Sequence, residues 1–160
     1  EYGDYFAWGE TEPKENYTWS NYLFGDEDNL TKYNSTDGLT TLQPEDDAAH
    51  ANMGEDWRMP TKVEYQELID NTTSEWVDNY NNTGVNGRLF TGTNGNKLFL
   101  PAAGIVGEQP YAQNLFGLYW SANCKENTGT NFGFNNIDIY INNNPRSSGY
   151  SIRGVKEANK

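Results

Sequence analysis

WRMPTKVEYQELIDN, residues 57–71, holds a helix stop followed at once by a helix start. Pro60 disfavours helical backbone at Met59, because its ring crowds the residue before it. Thr61-Lys62-Val63-Glu64 is then a capping box. The Thr61 hydroxyl accepts from the amide three residues on, and the Glu64 side chain reaches back to the Thr61 amide. Val63, Tyr65, Leu68 and Ile69 form a partial apolar stripe that fades near Asn71. The pattern predicts a helix over 61–71, entered through an ordered core connection at Trp57–Pro60.

Upstream, a first helix is predicted over 45–53. Pro44 fits a first helical turn, where its missing N–H costs nothing. Glu45, Asp46 and Asp47 suit the positive end of the helix dipole, and Gly54 supplies the stop. Before it, residues 1–25 scatter eight aromatic side chains among Gly, Thr and Asn with no helical period. They read as irregular structure with aromatic anchors. Residues 26–43 read as a long polar loop, with a short extended piece at Leu30–Tyr33.

Downstream the pattern changes to short strands. Arg88–Thr91 and Lys97–Leu100 flank Asn94-Gly95, a type I′ hairpin signal. Further strands are predicted at Tyr119–Ala122, Phe132–Phe134, Ile137–Ile141 and Ser151–Val155. The fold class is therefore α+β: two helices with a small antiparallel sheet built mainly after residue 88. Trp8, Trp57 and Trp120 are expected among the most buried side chains. Residues 1–156 read as a single domain, and 157–160 as a polar tail.

The formal charge of −12 disfavours nucleic acid and anionic membranes, since both require Lys and Arg against phosphate. No stretch approaches the ~20 apolar residues of a membrane span, so no membrane insertion is expected. One histidine and one cysteine exclude a three-His or His/Cys zinc site. His50 has no neighbouring motif to act on as a general base, and Cys124 reads as a small residue at a strand end. Asp26-Glu27-Asp28-Asn29 offers hard oxygens of the kind calcium takes. It lacks the glycine and distal glutamate of an EF-hand loop and reads as a solvated acidic turn. No cofactor and no enzymatic activity are expected.

Six motifs in order resemble one family. They are Tyr5-Phe6-Ala7-Trp8-Gly9-Glu10-Thr11-Glu12-Pro13, Leu42-Gln43-Pro44-Glu45-Asp46-Asp47-Ala48-Ala49, Trp57-Arg58-Met59-Pro60-Thr61, residues 95–104, Tyr119-Trp120-Ser121 and Gly149-Tyr150-Ser151-Ile152-Arg153-Gly154-Val155. The chain resembles the Fibrobacter succinogenes major paralogous domain family. The resemblance implies a C-type-lectin-like fold, shared with formylglycine-generating enzymes and with the variable proteins of diversity-generating retroelements. It also implies ligand-binding loops late in the chain. Two departures stand out. A strand that the family carries upstream is expected to be missing, and Gly154 stands where the closing motif has proline. The family has no settled activity to carry over.

The late segment supplies the candidate site. Ile137, Ile139 and Ile141 alternate with Asp138, Tyr140 and Asn142, so a regular strand would bury one set and display the other. Asn131, Asn136, Asn144 and Arg146 flank it. Amides that donate and accept, beside a tyrosine with a polar tip, suit sugar hydroxyls or a protein epitope. The expected role is an extracellular or cell-surface binding or adhesion module for a glycan or protein ligand. The alternative is a structural or assembly domain of a larger surface protein, with the asparagines serving only as turn formers.

Overall fold

The computed structural model describes residues 2–157. It is an α+β fold with two short helices, α1 (Ala48–Met53) and α2 (Lys62–Asn71). Ten strands follow the chain in order: β1 (Trp57–Arg58), β2 (Thr72–Val77), β3 (Gly87–Gly92), β4 (Lys97–Pro101), β5 (Ile105–Val106), β6 (Pro110–Tyr111), β7 (Phe116–Lys125), β8 (Thr128–Asn135), β9 (Ile139–Pro145) and β10 (Val155–Lys156). They pair antiparallel into three-stranded sheets β7-β8-β9 and β2-β3-β4 and two-stranded ribbons β1-β10 and β5-β6.

Strands β7 and β8 of the β7-β8-β9 sheet are buried on both faces, and β9 is the partly exposed edge. On one face, Phe132 and Phe134 pack with Tyr65 of α2, Phe90, Leu100 and Tyr119, with Ile139 and Ile141 at the margin. The Tyr65 and Phe132 rings stack at 4.9 Å. On the other face lie Leu118, Trp120, Trp8 and Tyr140. Glycines in β8 make room for these rings: a Cβ at Gly129 would sit 2.7 Å from Trp8, and one at Gly133 2.3 Å from Tyr140. Alternating Gly and Phe thus lets one strand carry rings laid flat on one side and rings projecting from the other. Trp8 and Trp120 have no exposed surface, and their indole N–H groups donate to Ser121 O at 2.9 Å and Phe6 O at 2.7 Å.

Helix α2 has the cap the sequence predicts. Thr61 Oγ1 accepts from Glu64 N at 3.2 Å, and Glu64 Oε2 accepts from Thr61 N at 2.8 Å. Helix α1 begins later than predicted. Residues Pro44–Asp46 form a separate 3-10 turn, and Asp47 is the N-cap. Its carboxylate accepts from Ala49 N and His50 N and also from Met59 N at 2.8 Å. Receiving an amide from the incoming 57–60 connection turns Asp47 out of the helix.

Five further expectations are corrected. Trp57 is half-buried, because it pairs in the two-residue ribbon with Lys156; Met59 is the core residue of that connection. The 92–96 turn is not type I′: only Gly95 is left-handed, with φ 83°. Its N–H donates to Gly92 O at 2.9 Å, and Gly92 N to Asn96 O at 2.9 Å, so the loop has one residue more than a type I′ turn. Strand β2, before residue 88, was not expected. The closing strand is Val155–Lys156, whereas Ser151 makes only an isolated parallel bridge to Tyr119. Leu30 likewise makes a single bridge, to Gly25. Of the predicted tail, Glu157 pairs with Arg58 at 3.3 Å, and 158–160 lie outside the described residues. Among the described residues no helix is long and apolar enough to cross a membrane.

Candidate functional site

The seven residues predicted for the site do not form one surface. Strand β9 starts at Ile139, so Ile137 and Asp138 belong to the turn before it. Asn135 Oδ1 fixes that turn by accepting from both their amides at 2.8 Å. Ile137, expected to be a core position, is 76% exposed. From Ile139 onward the alternation holds. Ile139 and Ile141 face the α2 side, while Tyr140 lies half-buried over Gly133. Asn136, Asp138 and Asn142 are exposed, and Asn142 Oδ1 accepts from the neighbouring Asn143 amide at 2.8 Å.

Two of the seven lie inside the protein and are corrected as solvent-facing contacts. Asn131 has no exposed surface, and its Nδ2 donates to Asn144 Oδ1 at 2.7 Å. Arg146 is also fully buried, with its guanidinium 4.9 Å from the centre of the Trp8 ring. It donates to three carbonyls, Lys32 O at 3.3 Å, Tyr33 O at 2.8 Å and Glu126 O. A guanidinium carries five donors in a rigid fork, which suits a convergence of carbonyls.

Those carbonyls underlie a cleft of about 740 Å³. One wall is the 27–40 loop; the other is the end of β7 and the turn into β8, at Cys124, Glu126 and Asn127. None of the seven predicted residues lines it. A register shift in β7 between Trp120 and Cys124 brings the walls together. There β7 leaves β8 and bonds to the loop instead, with Leu42 N to Ala122 O at 2.8 Å and Cys124 N to Thr40 O at 3.0 Å. Asn127 Nδ2 spans the cleft end to Glu27 O at 3.4 Å.

The loop wall is ordered by its own side chains. Asp26 Oδ1 accepts from the Asp28 and Asn29 amides, and Asn34 Oδ1 from those of Thr36 and Asp37. Asp37 accepts from the amides of Leu39, Asn34 and Tyr33, and these bonds, Leu39's foremost, hold its carboxyl below the usual carboxylate range. The Tyr33 ring is buried under the wall, with its hydroxyl donating to Asp46 at 2.6 Å and accepting from Gln43 N at 2.9 Å. Burial, then the Asp46 bond, pushes that phenol up.

The lining mixes polar and apolar surface and carries no Lys or Arg. Glu27, Asp28 and Glu126 contribute carboxylates, Asn29, Asn34 and Asn127 amides, and Ser35, Thr36 and Thr40 hydroxyls; Leu30 and Leu39 add apolar surface. Two lysines adjoin the lining in sequence: Lys32 turns away to Glu45 and Asp46, and Lys125, exposed at the end of β7, does not line the cleft. Burial raises the Cys124 thiol pKa, which disfavours the nucleophilic thiolate. His50 lines a different, smaller cavity of about 320 Å³ beside Trp57 and Met59, so the two do not form a nucleophile–base pair. The acidic turn weighed for calcium commits Asp26 Oδ1 to its own amides. Among the described residues no group of three or more His, Cys, Asp or Glu is gathered as for a metal.

The 26–43 stretch was legible as a polar loop but not as a wall, because its partner comes from about a hundred residues later. The cleft can offer a ligand hydrogen-bond donors and acceptors on a rigid frame. No family model matches the chain, and neither a curated protein nor a solved structure matches it.

Proposed function

We propose that the chain is an extracellular or cell-surface binding or adhesion module that holds a neutral, hydroxyl-rich ligand such as a glycan in this cleft. The observation that carries the reading is the lining itself: amides, hydroxyls and carboxylates around about 740 Å³, with no cationic side chain. Sugar hydroxyls both donate and accept, so they use carboxylates and amides equally. An anionic ligand would meet Glu27, Asp28 and Glu126 with no cationic side chain on the lining to pair with. The role is non-catalytic and needs no cofactor. The reading takes the α+β architecture as a C-type-lectin-like fold of the kind the motif resemblance to the Fibrobacter succinogenes family implies, with loops on a sheet carrying the ligand; two helices with antiparallel sheets are consistent with it.

A glycan and host-protein array, probed with wild type and with Asn127→Ala, tests the reading. Neutral glycans should bind wild type, with sialylated and sulfated ones blank and the variant weakened. Signal on proteins alone would replace the glycan with a protein ligand. A uniformly blank array would favour a structural or assembly domain.

A further inference from the structure

Seven residues other than glycine have a left-handed backbone among those described, and two of them line the cleft: Tyr33 at φ 58° and Glu126 at φ 51°. Neither residue type favours this region, where the Cβ crowds the following carbonyl. Glu126 opens the two-residue turn from β7 to β8, at a position that glycine usually fills when φ is positive. Such conformations persist only where the surroundings over-determine them, and they gather at ligand sites. The two residues stand on opposite walls, 93 positions apart in sequence by the numbering (126 − 33). One side chain holds both: Arg146 Nη2 donates to Tyr33 O and to Glu126 O, while its Nη1 donates to Lys32 O.

The clamp is itself anchored. Arg146 packs over Trp8, its carbonyl accepts from Trp8 N at 2.9 Å, and Trp8 Nε1 donates to Ser121 O in β7. The Tyr33 ring meets the Trp8 ring edge-on at 5.0 Å. No acidic side chain pairs with this fully buried cation among the described ion pairs; carbonyl dipoles and the Trp8 ring face receive it. A buried charge held this way is costly to keep for packing alone, since an apolar side chain would fill the space at less desolvation cost.

We infer that Arg146 is the positioning residue of the cleft. By holding the carbonyls of Tyr33 and Glu126 it keeps both strained residues left-handed and fixes the spacing of the walls before any ligand arrives. The inference rests on reading the cleft as the ligand site, and its test needs no ligand. Cys124 is the chain's one cysteine and lines the cleft, so its alkylation rate by iodoacetamide reports the opening of the walls.

Lysine offers a point charge in place of the fork and cannot reach all three carbonyls in the same geometry. Arg146→Lys should therefore raise the alkylation rate about tenfold, with little dependence on low urea, as local opening requires. Adding Glu126→Gly to that variant should bring the rate back to within about threefold of wild type, because glycine keeps the turn without the clamp. If Arg146→Lys does not fold, the pair Glu126→Gly and Glu126→Val carries the test with Arg146 in place. Valine should speed alkylation, since a β-branched residue resists positive φ, and glycine should leave it at the wild-type rate. A wild-type rate in Arg146→Lys, a rate that simply tracks global unfolding in urea, no rescue by glycine, or equal rates for the Gly and Val variants would overturn the inference. A blank glycan array with the expected alkylation rates would count against the ligand and leave the clamp standing.

Discussion

Strands β7–β9 and the loop at 26–40 meet at the cleft, and they are held by opposite means. The sheet is held by rings: Trp120, Phe132 and Phe134 are fully buried, and β7 and β8 are covered on both faces. The loop buries one large ring, Tyr33, and otherwise closes its backbone with Asp26, Asn34 and Asp37. Apolar burial scales with area and dominates stability. Side-chain bonds to local amides contribute less, and they leave the outer polar groups in water. Order in the loop therefore costs the core little, and the loop can display a ligand surface that the covered faces of β7 and β8 cannot.

The contrast is tested most strongly at Trp120. Trp120→Ala should lower stability by about 3–5 kcal/mol in urea titration, because it empties a fully buried site. It also removes one of the two donors to the Phe6 carbonyl and leaves only the Tyr150 amide. A loss below about 1 kcal/mol would mean that the sheet is not the main store of stability. Tyr140→Ala should cost about 1–3 kcal/mol, since the ring is half-buried over Gly133. A change near zero would return Tyr140 to the list of free surface groups.

A smaller, pH-dependent effect belongs to the capping box. Arg58 donates to both Glu64 oxygens at 2.8 and 2.6 Å, and this bond leads the causes that hold the Glu64 carboxyl below its ordinary value. A folded pKa below the unfolded one means stability that is present above the unfolded value of about 4.3 and lost as pH falls through the folded value. Melting temperature should therefore drop on acidification in wild type, and Glu64→Gln should flatten part of that drop. Identical acid slopes in the two proteins would remove Glu64 from the account. At the weak end, Ser35→Ala and Thr36→Ala should change stability by no more than about 0.5 kcal/mol, as exposed substitutions do. A larger loss would make the loop part of the core and erase the contrast.

What the sequence revealed follows the same division. Helix α2 and the β3–β4 hairpin were legible because a capping box and an Asn-Gly pair act within a few residues. The start of α1 was not, because Asp47 takes the amide of Met59, twelve positions on (59 − 47). Strand β2 escaped because its more covered positions include Thr72 and Ser74, which give no apolar alternation. The site was harder. Asn131 and Arg146 are residue types that read as surface, and only the fold shows an interior amide pair and a carbonyl clamp. The cleft needs two loops from distant parts of the chain, and neither carries a motif. The positive φ of Tyr33 and Glu126 has no sequence signal at all, since both stand where glycine or asparagine would have announced the turn.

The central claim is that ligand enters between the 27–40 loop and the β7–β8 turn and not on the face of β9. Amide chemical shifts of the 15N-labelled protein, followed through titration with a panel of neutral disaccharides, separate the two directly. The account predicts saturable shifts at Asn29, Ser35, Thr36, Thr40 and Asn127, with Tyr140 and Asn142 unmoved. Shifts centred on Tyr140 and Asn142, with the cleft amides unmoved, would contradict it.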